Sequence, residues 1–193
     1  MSDMYFLNMH ILQKSVTRTA VHSYARFHSG HENWISDIPL ICKSSNDDYT
    51  NINTIWHKMY PLLDTIDMDI WGILGKVSNN LNFDVDELNV IVKALDFYVR
   101  LNIGQFEIMA EQSVSMTNRG EIQEFAYSIK RILGFSRYGN YGIHHQSCED
   151  AQKAYDILCV IRHRLNIDCG GSHRVWEPSH AYKEWSLPII EKI

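Results

Sequence analysis

Hydrophobic and polar positions fall into distinct periods along this chain, and those periods divide it into elements. The longest coherent pattern is DVDELNVIVKALDFYVRL (84–101), where Asp86, Asn89, Lys93, Asp96 and Arg100 recur every three or four residues as one thin polar stripe. Val85, Leu88, Val90, Ile91, Val92, Ala94, Leu95, Phe97, Tyr98, Val99 and Leu101 fill the rest. A helix apolar around most of its circumference must be buried on several sides. Asp84 with Glu87 three residues later fits an N-terminal cap and an acidic first turn. Gly104 then offers a hinge into a second helix over QFEIMAEQSVSM.

GEIQEFAYSIKRILGF (120–135) places Ile122, Phe125, Ala126, Ile129, Ile132 and Leu133 on one face and Glu121, Glu124, Ser128 and Arg131 opposite, with Gly134 as C-cap. SCEDAQKAYDILCVIRHRLN (147–166) opens on Ser147 and Asp150, a capping-box variant, and carries a core stripe of Ala151, Ala154, Tyr155, Leu158, Ile161 and Leu165. Earlier in the chain, MYFLNMHIL (4–12) predicts a short strand or arm, and SVTRTAVHSYARFHSG a helix from about 16 to 28. ICKSSNDDYTNINT (41–54) reads as a polar loop, and NTIWHKMYPLLDTI (53–66) as a helix kinked or broken at Pro61. The tail, with its turn glycines, two prolines and two tryptophans, reads as an extended arm. The expected fold is therefore mainly α: one domain over 1–193, a helical bundle with its core at 84–167, a short N-terminal strand or arm, and an extended C-terminal tail over 168–193.

Composition sharpens this picture. The 193 residues are 45% apolar and 21% charged, as in a folded globular domain. A net charge of -5 argues against general nucleic-acid binding, which needs a basic excess. The N-terminal stretch lacks a basic region and is interrupted by Asn8 and His10, so no signal peptide is expected. No run reaches the roughly 18 apolar residues of a membrane helix. Cys42, Cys148, Cys159 and Cys169 are widely spaced and read as free thiols. A cytoplasmic protein is expected, without a cofactor.

Complete catalytic signatures are absent: there is no GxSxG, P-loop, GxGxxG or HExxH. His22, His28 and His31 form a histidine cluster without the partners a metal hydrolase uses, and Asp64, Asp67 and Asp69 lack the spacing of a calcium loop. Cys148, at a helix start, is a candidate for a depressed thiol pKa. The richest segment is FSRYGNYGIHH (135–145). Its glycines permit close backbone approach, while Tyr138 and Tyr141 offer stacking faces beside His144 and His145. The segment feeds the helix that starts near Ser147, whose free amides favour an anion. At that helix's far end lie Arg162, His163 and Arg164, followed by His173 and Arg174, a chemistry suited to phosphate. About 18 residues at roughly 1.5 Å each separate the two clusters by about 27 Å. One small ligand reaches both only if a symmetric oligomer joins them, and the wide apolar face of 84–101 suggests such a homo-oligomer.

Two further segments carry a resemblance. Ala94, Leu95, Asp96, Tyr98, Arg100, Gly104, Gln105, Phe106 and Glu107 form an ALDxYxRxxxGQFE-like stretch. Tyr141, Gly142, Ile143, Ala154, Tyr155, Asp156, Ile157, Val160, Ile161, Arg162 and Leu165 form a YGI…AYDIxxVIRxxL-like one. Together they resemble a family of small phage and prophage accessory proteins of unassigned activity, over roughly residues 84–167. The resemblance implies a phage accessory protein in a bacterial host, not a named reaction. Asp96, Arg100, Gln105, Glu107, Asp156 and Arg162 then form either a structural ion-pair network or a polar pocket.

The leading expectation is a non-enzymatic counter-defence protein that sequesters a small anionic nucleotide-derived signal. Its candidate ligand residues are Arg100, Gln105, Tyr138, Tyr141, His144, His145, Arg162 and Arg164, with no metal. The alternatives are a protein-binding inhibitor of a host enzyme, anchored by Trp176 and Trp185, and a metal-dependent hydrolase using His22, His28, His31, His144 or His145.

Overall fold

A computed structural model describes residues 3–63, 69–79, 82–112, 117–168, 181–182 and 184–193. The fold is mainly helical, with eight α-helices and a three-stranded sheet among the described residues. In chain order these are β1 (Met4–Asn8), α1 (Ile11–His28), a 3-10 segment (Glu32–Asp37), α2 (Pro39–Cys42), α3 (Asn46–Met59), α4 (Ile70–Asn79) and β2 (Phe83–Asp84). There follow α5 (Val85–Asn102), α6 (Ile108–Gln112), α7 (Arg119–Ile132), α8 (Glu149–Asp168) and β3 (Ile189–Lys192).

The helix α5 is the hub. Its Asp84 cap accepts from the Glu87 amide at 2.9 Å while Glu87 accepts from the Asp84 amide at 3.0 Å, so two orphan amide donors are satisfied. Its apolar circumference is covered within the chain, chiefly by α8 and α1. The face on which the expected homo-oligomer rested is thus covered by helices of the same chain. At one end of the core, Phe27, Trp34, Trp56 and Phe97 meet with ring centroids 4.7 to 6.1 Å apart. These rings are at most 1% exposed, and burying each contributes on the order of 2–3 kcal/mol.

Local chemistry explains where elements depart from their expected bounds. The first helix begins at Ile11, five residues early, because His10 caps it: Nδ1 accepts from the Leu12 amide at 3.2 Å, and Gln13 Oε1 accepts from the His10 amide at 3.0 Å. Most of the expected polar loop 41–54 is helical. Ser45 accepts from the Asp48 amide at 3.1 Å, and Asp47 and Asp48 suit the positive end of α3. Pro61 acts as expected: α3 stops at Met59 and a single 3-10 turn follows.

The sheet has the order β2-β1-β3, both pairings antiparallel, with Tyr5 opposite Phe83 and Leu7 opposite Ile190. The expectation of an extended tail is thus corrected at its end, since residues 189–192 are a sheet strand that ties the C-terminus to the N-terminus. Residues 169–180, with Cys169, His173, Arg174 and Trp176, lie outside the described residues, as do Asp64 and Asp67. No described helix is long and apolar enough to cross a membrane.

Candidate functional site

The segment 135–145 connects α7 to α8. Gly134, at φ +79°, turns the chain out of α7, and the Tyr141 amide donates to the Ile103 carbonyl at 2.9 Å, which ties the segment to the end of α5. Arg100, Gln105 and Tyr138 converge there on one shallow hollow of about 250 Å³, together with Glu107, Lys130 and Asn140. The hollow is electrostatically spoken for. Arg100 donates through Nε to Gln105 Oε1 at 3.2 Å and through both terminal nitrogens to the Glu111 carboxylate, which holds Glu111 below the usual carboxylate range. Lys130, only 1% exposed, donates to Glu107 at 2.7 Å. Cations engaged in this way have little left for an anion.

The remaining expected residues scatter. Tyr141 stacks on His145 at 4.5 Å and meets the edge of Phe135 at 4.8 Å, lining a separate cleft with Lys43 and Leu133. His144 is exposed. Arg162 lies 3.4 Å from Asp96, and Arg164 donates to Asp168 at 2.7 Å, both far along α8 from the loop. Asp156, expected on a polar pocket, is fully buried and accepts from the Ala181 amide, the Tyr182 amide and the Trp185 indole. Every charged residue of the two resemblance segments therefore has an internal partner. The arrangement is an ion-pair network, and Arg100, Gln105 and Glu107 of it also line the hollow.

A larger cleft lies along the outer face of α1. Ser15, Arg18, Thr19 and His22 follow one another at helical spacing, opposite the buried Thr17, Ala20, Val21 and Tyr24. With Leu74 of α4 they enclose a lobe of about 310 Å³. Ser15 and Thr19 also border a second lobe of about 460 Å³, walled by the 3-10 segment, α2, Tyr98 of α5 and Asp150 of α8. These sizes fall within the range of small-molecule sites.

Asp37 joins the lobes. Its carboxylate lies 3.3 Å from His22 Nδ1 and accepts from Arg26 at 3.2 Å. Burial lowers the pKa of His22 in spite of Asp37, and burial raises that of Asp37 in spite of both partners. Cys42, in the larger lobe, donates to the Ser36 carbonyl at 2.9 Å, and burial pushes its thiol up, which disfavours the reactive thiolate. Arg18 and Lys43 border the cleft without an ion pair among the described residues.

Of the histidine cluster of the sequence, His22 and His31 both pack edge-on to Trp71, at 5.8 and 6.4 Å. His22 borders the smaller lobe, while His28 packs edge-on to Tyr24 and Phe27. No group of three metal-ligating side chains occurs among the described residues. Ser15, Arg18, Thr19, Asp37 and Lys43 were not among the expected site residues. The legible signal was the polar stripe at 15, 18, 19 and 22; Asp37 and Lys43 join it only through tertiary packing. Comparison with protein-family models, curated proteins and solved structures finds no match to this chain.

Proposed function

We propose that the protein binds a small anionic ligand of nucleotide-derived type in the cleft along α1, and acts by withdrawing that ligand from solution. In the phage setting suggested by the resemblance of residues 84–167, this is the sequestration of a host signal. One observation carries the reading. Among the described residues, Arg18 stands on a lobe lined by no carboxylate and has no ion-pair partner, whereas Arg100, Arg162 and Arg164 are each answered by an acid. A guanidinium fork flanked by the Ser15 hydroxyl is suited to phosphate oxygens.

Isothermal titration of the full chain against a panel of mononucleotides, cyclic nucleotides and ADP-ribose derivatives tests this. Saturable binding, with the compound recovered unchanged by mass spectrometry after release, is the expected result. The absence of heat from every member, with the protein folded, would overturn it, and recovery of a cleaved compound would replace sequestration with turnover.

A further inference from the structure

We infer that the cleft takes its ligand in one direction, as a phosphate monoester whose phosphate enters the smaller lobe and whose sugar–base portion fills the larger one. This rests on the reading of the cleft as a ligand site and adds the ligand's polarity and class. The two lobes differ in chemistry. Among the described residues the smaller is lined by Ser15, Arg18, Thr19, His22 and Leu74: one guanidinium without an ion pair, two hydroxyls and an imidazole, and no carboxylate. Phosphate oxygens accept from the Arg18 fork and the Ser15 hydroxyl, whereas the Thr19 hydroxyl is already donating to the Ser15 carbonyl at 3.0 Å.

The larger lobe carries two carboxylates, Asp37 and Asp150, with apolar surface from Val16 and Pro39. Arg26 balances Asp37, and Lys153 lies 3.9 Å from Asp150, so this lobe is not an anion trap despite Lys43. Arg26 and His22 already engage Asp37, so Asp150 is the acceptor that this lobe offers, and an ionised carboxylate selects donors such as ribose hydroxyls and exocyclic amines. Apolar wall and acceptor together fit a nucleoside better than a second phosphate. Ser15 and Thr19 border both lobes, so the two lie side by side along α1, and a molecule filling both would pass over this pair.

The direction is testable by titrating the full chain with inorganic phosphate, ribose 5-phosphate and adenosine 5′-monophosphate. Affinity is expected to rise in that order. Arg18→Ala should weaken all three by about tenfold or more, the loss of a charge-assisted hydrogen bond. Asp150→Asn should weaken the mononucleotide several-fold and leave inorganic phosphate unchanged. Arg18 is exposed and Asp150 only half-buried, so both variants should fold, and circular dichroism verifies that they do. If phosphate binding survives Arg18→Ala and is lost in Lys43→Ala, the direction is overturned while the cleft remains a ligand site. Equal losses of phosphate and mononucleotide in Asp150→Asn would likewise overturn it. Failure of all three probes to bind would overturn the direction, and failure of the wider nucleotide panel would remove the ligand site itself.

Discussion

The indole nitrogen of Trp185 lies 3.1 Å from the carboxylate of Asp156, in the buried seam between α8 and the returning tail. The same carboxylate accepts from the Ala181 amide at 2.6 Å and the Tyr182 amide at 3.0 Å. One acidic side chain thus collects donors from residues 181, 182 and 185, ahead of β3.

Replacing Asp156 with Ala removes this acceptor from a buried indole and from two part-buried amides. A loss of about 2 kcal/mol is expected, at roughly 1–3 kcal/mol for an unsatisfied buried group and less where water reaches. Asp156→Asn, which keeps one carbonyl oxygen, should lose less. Urea denaturation measures both, and limited proteolysis should show the C-terminal segment released first in the Ala variant.

The Lys130–Glu107 pair yields a different pattern. Lys130 is almost fully buried, while the Glu107 side chain retains 22% exposure. Lys130→Met removes the buried charge and leaves a carboxylate that water still reaches. Glu107→Gln keeps a carbonyl acceptor but removes the charge that balances the buried ammonium, and should be the worse single change, at about 3 kcal/mol. The double variant Lys130→Met/Glu107→Gln should recover most of that loss, as a double-mutant cycle in urea would record.

Gly104 occupies φ +87°, where an added Cβ would sit 2.9 Å from the ring of Phe135. Gly134 has a similar φ of +79° with open space around it. Gly134→Ala should therefore cost about 1 kcal/mol for the backbone alone, and Gly104→Ala about 2–3 kcal/mol because the ring must also move. Paired thermal melts distinguish the two.

Neither ring nitrogen of His28 has a hydrogen-bond partner among the described residues, and burial, with a smaller contribution from Lys93, lowers its pKa from 6.5 to about 4. Because the unfolded chain takes up this proton at a higher pH than the folded protein does, the folded state is favoured above about 6.5. It loses roughly 3 kcal/mol as pH falls from there to about 4. His28→Phe keeps the edge contacts with Tyr24 and Phe27 and removes the titration. Its stability should be flatter than the parent's between those pH values, which urea midpoints at several pH values would test.

Periodicity and capping chemistry act within a few residues, and through them the sequence alone determined the class of the fold, the burial of α5, the break at Pro61 and the turns at Gly104 and Gly134. Where capping donors were weighed as loop formers, as at Ser45 to Asp48, the helix was missed, because the same hydrogen bonds serve a turn or a helix start. The site was less legible. Arg100, Gln105 and Tyr138 do meet, yet residues distant in sequence neutralise them, and an arginine's partner cannot be read from its own neighbourhood. Tertiary packing alone decided that Glu111 answers Arg100, that Asp156 holds the tail, and that Asp37 and Lys43 join the stripe of α1 across a cleft. Electrostatic pairing depends on distance in space, which the order of residues along the chain does not specify.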